Sequence, residues 1–221
     1  HVIDTNGGRD NFDVYVHSWQ AELEHDFRKE FAPLSCHGTS YIAQYEDNRP
    51  LEASLAPLFP GADWSQVSCG LSLARGAMLV MNHRDYNRTL FYRPDVLLDV
   101  PLDLSHLPVV EPAAAASVHV SSFKRFGGDF HFVLSGRLAL EAISRLPFAA
   151  LAHHITPSPH MWIPAVLRTE RVALGTTAIR PGRDEEVYRK LLESPLGCKG
   201  QRYFEARYGL TAADWRRLVQ A

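Results

Sequence analysis

Tyr92-Arg93-Pro94-Asp95-Val96-Leu97-Leu98 sets a charged Arg-Pro-Asp step between two runs of strand character, and its reading decides the fold. Upstream, Thr89-Leu90-Phe91-Tyr92 is rich in β-branched and aromatic residues; downstream, Val96-Leu97-Leu98 is aliphatic. Both runs read as buried strand. A carboxylate placed there needs a partner, since burying it alone costs several kcal/mol or forces it to take up a proton. A metal ion, a sugar hydroxyl or Arg93 itself can serve. Asp99 and Asp103 follow and mark the exit from the strand, because Asp favours turns and caps.

Working outward toward the N-terminus, Phe12-Asp13-Val14-Tyr15-Val16-His17-Ser18-Trp19 alternates with the period of a strand and leads into a short helix around Glu22, Glu24 and His25. From Ala32 to Asp63 the prolines Pro33, Pro50, Pro57 and Pro60 predict loops with one weak strand at Ser40-Tyr41-Ile42-Ala43. Val67, Leu71, Ala74, Met78 and Met81 then recur at helical steps, which predicts an amphipathic helix between Trp64 and Asp85 with Ser65 as its cap. Beyond the opening stretch, a Pro- and Ala-rich connection runs to Ala116, and Ser117-Val118-His119-Val120 reads as a strand. Gly127-Gly128-Asp129-Phe130-His131-Phe132-Val133-Leu134 follows, with Ser135 placed to cap a helix that Pro147 stops after Arg145. Two tail helices are expected, from Asp184 to Glu193 and from Thr211 to Val219.

This alternation predicts a single α/β domain with a mostly parallel central sheet flanked by helices, and ligands in such sheets sit beyond the carboxyl ends of the strands. His17-Ser18, Arg93-Asp95 and Asp129-His131 are the polar ends that would converge there.

Composition narrows the classes. The 221 residues are 46% hydrophobic and 22% charged, with a formal charge of -2, and Lys and Arg form no block of five or more. Nucleic acid is not expected as a partner, and no apolar run approaches the roughly 20 residues of a membrane span. Cys36, Cys69 and Cys198 are odd in number and far apart, which fits a reducing, cytoplasmic setting and neither a disulfide framework nor a CxxC zinc site. His1-Val2-Ile3-Asp4 has neither the basic nor the apolar region of a secretion signal. There is no Gly-x-Gly-x-x-Gly, Walker loop or Gly-x-Ser-x-Gly elbow, which argues against dehydrogenase, P-loop kinase and α/β-hydrolase readings.

Among candidate residues, Asp95 at a strand end suits a hard divalent cation, which takes oxygen ligands, or pairs with Arg93. Asp129, beyond the glycine pair, can act as a general base or hold sugar hydroxyls, with the alternative of a turn-capping role, and His131 alternates with Phe130 and Phe132 beside it. His17 and Ser18 end the first strand, a place for nucleoside contacts; Trp19 reads as core. His153, His154 and His160 lie within eight positions, but Pro157 and Pro159 prevent one helix from presenting them together. A metal-dependent hydrolase built on them and Asp129 is the weaker rival. Arg75, Arg84 and Arg180 read as solvated or paired charges.

Taken in order, residues 11–19, Tyr92 to Val96, Pro101-Leu102-Asp103-Leu104 and Gly128 to Val133 resemble a poorly characterised group of GT-A-type glycosyltransferases from bacterial surface-polysaccharide clusters and some large viruses. The resemblance implies a Rossmann-like GT-A domain, residues 1–110 forming the nucleotide-binding half and 111–221 the acceptor side. It implies a nucleotide-diphosphate sugar donor, a glycan or other hydroxyl acceptor, and Mn²⁺ or Mg²⁺. Asp95 would stand in the metal-binding Asp-x-Asp element, with His154 or His160 completing the shell, His17, Ser18 and Arg93 on the donor, and Asp129 with His131 facing the sugars. Arg93 occupies the position of the first acid, and its planar fork can neutralise a diphosphate directly. A carbohydrate- or nucleotide-sugar-binding protein without turnover is the alternative.

Overall fold

A computed structural model describes residues 2–35, 41–92, 96–98, 101–107, 117–120, 131–152, 173–176 and 185–187. The chain opens with a single helical turn, α1 (Val2–Thr5), and Asn6 clips it to a distant segment. The Asn6 amide donates to the Leu102 carbonyl at 2.8 Å and its oxygen accepts from the Leu104 amide at 2.7 Å. One side chain thus satisfies backbone groups nearly a hundred residues away.

β1 (Val14–Ser18) pairs in parallel with β2 (Tyr41–Tyr45), in a register that sets His17 beside Gln44. Parallel neighbours need a crossover, and α2 (Glu24–Phe31) lies within it. The expected first strand, short helix and weak strand are therefore all present. The stretch expected as loop also holds α3 (Arg49–Leu55), where Pro50 sits in the first turn, a position that demands no backbone donor. The long helix is α4 (Trp64–Met81). Its cap is Asp63 and not Ser65: the Asp63 carboxylate accepts from the Ser65 amide at 2.9 Å.

The two halves of the opening stretch enter different sheets. β3 (Thr89–Tyr92) joins β5 (Ser117–Val120), β6 (His131–Ser135) and β7 (Ala173–Thr176) in the order β3-β6-β5-β7, while β4 (Val96–Leu98) pairs with β8 (Glu185–Val187). β3–β6, β5–β6 and β4–β8 are antiparallel; only β1–β2 and β5–β7 are parallel. The expected mostly parallel central sheet is therefore corrected: among the described residues the strands form a parallel pair, a mainly antiparallel sheet of four and an antiparallel pair. The reason lies in burial. A continuously apolar strand is the usual mark of a parallel sheet covered on both faces, and β6 is buried at all five positions. Yet β6 is covered on both faces while its neighbours run antiparallel. Phe132 and Leu134 pack with Ala77 and Val80 of α4, Leu140 and Ile143 of α5 (Arg137–Ser144) and Leu146 of α6 (Leu146–Ala152). On the opposite face Val133 meets Leu102 and Leu104.

Three local expectations change as well. Ser135 ends β6, and Gly136, at φ 85°, makes the turn into α5, a conformation only glycine takes without strain. Pro147 does not stop that helix; it stands in the first turn of α6. Where a helix was expected from Asp184, residues 185–187 are strand. The second tail helix lies outside the described residues. Gly76 allows α4 to approach β3, since a Cβ there would stand 3.2 Å from the Phe91 ring.

Candidate functional site

Alternation along β1 points Asp13, Tyr15, His17 and Trp19 to one face, and α4 lies across it. The helix runs antiparallel to the strand, so its end meets Asp13 and its beginning meets Trp19. Each odd-numbered residue finds a partner on α4 or the loop after it. Arg84 and the Tyr86 hydroxyl donate to the Asp13 carboxylate, and the Tyr15 hydroxyl meets both Tyr86 and His83. Further along, the Ser72 hydroxyl lies 2.8 Å from Nδ1 of His17, and the Trp19 indole donates to the Ser68 carbonyl at 3.1 Å.

The carboxyl-terminal edge of the parallel pair is the candidate site. Gln44 and Glu46, two apart on the β2 side, lie on the face of His17. Nε2 of His17 stands 3.7 Å from Oε1 of Glu46, and the same oxygen receives the Gln44 amide and lies 3.5 Å from Nε of Arg75. The Trp19 ring meets the imidazole edge to face, with centroids 4.5 Å apart, and so fixes the plane of the ring. His17 is enclosed, its side chain only 2% exposed, whereas Arg75 is 37% exposed. Burial pushes the imidazole below its ordinary 6.5, opposed in part by the Glu46 carboxylate. The ring is neutral at pH 7. Among the described residues Nε2 finds no hydrogen-bond partner within 3.5 Å, although it is buried.

This geometry also favours one tautomer. A carboxylate on the Nε2 side favours the proton on Nε2, which leaves the Nδ1 lone pair to accept from the Ser72 hydroxyl. The edge thus holds a neutral base in contact with a hydroxyl, a carboxylate behind the base, and a half-open guanidinium.

Of the residues expected at a site, His17 lies here. Ser18 is next to it but faces the other way: its hydroxyl accepts from the Gln20 amide at 3.1 Å and its carbonyl from the Glu46 amide at 3.0 Å, so it shapes the strand exit. His131 is wholly buried in β6, opposite Tyr92 of β3. Arg93, Asp95, Asp129 and His154 lie outside the described residues, as do His153 and His160. Ser72, Glu46 and Arg75 were not singled out as a group by the sequence reading. The signal was present in two spacings: His17 with Trp19, and Ser68, Ser72 and Arg75 at helical steps of four and three.

Among the described residues no three His, Cys, Asp or Glu side chains gather to hold a metal. The donor set at the edge does not fit one: Glu46 already receives Gln44 and Arg75, and Arg75 brings positive charge where a cation would stand. No described helix is long and apolar enough to cross a membrane. Compared with known proteins, the chain matches no family model, no curated protein and no solved structure.

Proposed function

We propose that the chain is a glycosyltransferase that takes a sugar from a nucleotide-diphosphate donor, with the donor lying across the carboxyl-terminal edge of β1 and β2. The ordered set of sequence pieces supports this reading, and the observation that carries it is the polar edge itself. His17 ends a strand in a parallel pair, the place where nucleosides bind in such units. Arg75 is 37% exposed and, among the described residues, its ion-pair partner is Glu46 at 3.5 Å, so it can turn to a diphosphate and offset the charge that develops on the leaving group. Arg93 and Asp95 would add to this from the stretch that follows β3.

The test is calorimetry with a panel of nucleotide-sugars, with and without Mn²⁺, followed by chromatography for released nucleoside diphosphate. One donor should bind and be consumed in the presence of an acceptor, and Arg75→Ala should weaken donor binding about tenfold, the loss of one charged contact. If no donor binds at millimolar concentration, the reading fails. A binding protein without turnover is the second reading. It is favoured by the state of the carboxylates after β2: Glu46 is engaged by Arg75 and Asp47 by Arg49, so neither is presented as a base. Binding without nucleotide release would decide for it.

A further inference from the structure

We propose that Ser72 is a nucleophile activated by His17, and that the chain transfers acyl groups from carboxylic esters through it.

Serines inside helices ordinarily return their hydroxyl to a carbonyl of their own helix. Ser54, Ser68 and Ser144 do so, at 2.9, 3.1 and 2.8 Å. Ser72 departs from that habit: its hydroxyl reaches across to His17 of β1, fifty-five residues away. The contact has the polarity a general base needs. With Glu46 on the Nε2 side, the basic lone pair is at Nδ1, on the serine side, and Trp19 holds the ring in that plane. Nucleophile, base and orienting carboxylate come from three separate elements, α4, β1 and the end of β2. The charged groups that face His17 are Glu46 from the β2 side and Arg75 from α4; Ser72 and Trp19 are neutral. Ser72 is partly open to solvent, and Arg75, three residues on, lies on the same face of α4 with positive charge for a developing oxyanion.

The chemistry balances without any further reagent than an ester and water. The Ser72 oxygen bonds to the carbonyl carbon while its proton moves to Nδ1 of His17. The ester C–O bond then breaks, and the leaving alkoxide takes that proton from Nδ1. Water, deprotonated by the same nitrogen, attacks the acyl-serine, and the serine oxygen leaves with the proton. Ser72 and His17 are the catalytic residues; Glu46 is a positioning residue that acts through His17.

The experiment uses the full chain and a fluorophosphonate probe, in which the serine oxygen bonds to phosphorus and fluoride leaves, with the adduct located by peptide mass spectrometry. Ser72 should carry the adduct, Ser72→Ala should lose it, and His17→Gln should label about a hundredfold more slowly, the usual contribution of a general base. The labelling rate of the unaltered chain should level off above a midpoint lower than 6.5. Glu46→Gln should move that midpoint to lower pH, because the carboxylate that favours the protonated ring is gone. The absence of an adduct on Ser72, or equal labelling of His17→Gln when circular dichroism shows it folded, overturns the proposal. Should His17→Gln not fold, the pH profile decides: a rate still climbing with hydroxide at about pH 9 excludes a histidine base. An unmoved midpoint in Glu46→Gln overturns the role given to that carboxylate.

Discussion

The two ends of the seam between β1 and α4 are built from the same residue types and are put to opposite uses. At the end near Asp13, the carboxylate is 1% exposed, Arg84 and Tyr86 donate to it, and Tyr15 and His83 close the set. Burial, the Tyr86 hydroxyl and the Asp13 carboxylate hold the Tyr15 hydroxyl well above its ordinary 10, opposed in part by Arg84. At the other end, His17 is equally enclosed, and its imidazole meets the Ser72 hydroxyl at 2.8 Å with Glu46 and Arg75 beside it. The difference lies in what is brought together: at the first end two donors from the loop after α4 converge on one carboxylate oxygen, while at the second an imidazole nitrogen faces a serine hydroxyl. The first end fastens the helix to the strand. The second presents chemistry.

The largest expected effect breaks the fastening end. Arg84→Met removes the charged partner of an enclosed carboxylate, and hydrogen bonds to charged groups contribute about 2 to 3 kcal/mol when the group left behind is buried. Arg84 itself is 58% exposed, so the loss reflects the stranded Asp13 and not the arginine's own burial. Urea unfolding should show the free energy of unfolding lowered by that amount, as a lower midpoint with an unchanged slope. A loss under about 0.5 kcal/mol would mean that Asp13 is hydrated in solution and the fastening is not there.

Much of this seam was legible in the sequence as elements and little of it as partners. The period of two in Asp13-Val14-Tyr15-Val16-His17 located β1, and the helical spacing of Val67, Leu71 and Ala74 located α4. Neither pattern says which face of a strand a helix will cover. The helix lies on the face of Asp13, Tyr15 and His17 and supplies partners to each of their side chains, although that face is the more polar of the two. Strand direction was equally hidden: Phe132-Val133-Leu134 is as apolar as a parallel core strand because α4, α5, α6 and the Leu102–Leu104 segment cover its two sides, yet it runs antiparallel to both neighbours. His17 was found because it ends a strand. Ser72 was missed because a serine inside a helix carries no local mark of a partner on another element.

Smaller effects sharpen the contrast at the chemical end. Trp19→Phe keeps a ring against His17 and deletes the 3.1 Å hydrogen bond to the Ser68 carbonyl, so about 1 kcal/mol should be lost in the same unfolding assay. Ser72→Ala should change stability by no more than about 0.5 kcal/mol, because the lost hydrogen bond to His17 is offset by the higher helix propensity of alanine. A loss above about 2 kcal/mol would place Ser72 with the fastening residues and remove the difference between the two ends.

The smallest expected change is read from protons. Burial lowers the His17 pKa below the 6.5 of the unfolded chain, so as pH falls the unfolded state takes up the proton first. The stability tied to the neutral ring is complete above 6.5 and is lost as pH falls from there to the lower folded value. His17→Gln carries no such titration, so the difference in unfolding free energy between the two chains should narrow steadily from pH 7 downward. Glu46 opposes the shift; in a Glu46→Gln background the ring resists protonation more strongly and the decline should continue to lower pH. At the Asp13 end the carboxylate is paired and the tyrosines titrate far above this window, so Tyr15→Phe should leave the slope between pH 7 and 5 unchanged. If that slope follows Tyr15 and ignores His17, the reactive end of the seam has been assigned to the wrong half of α4.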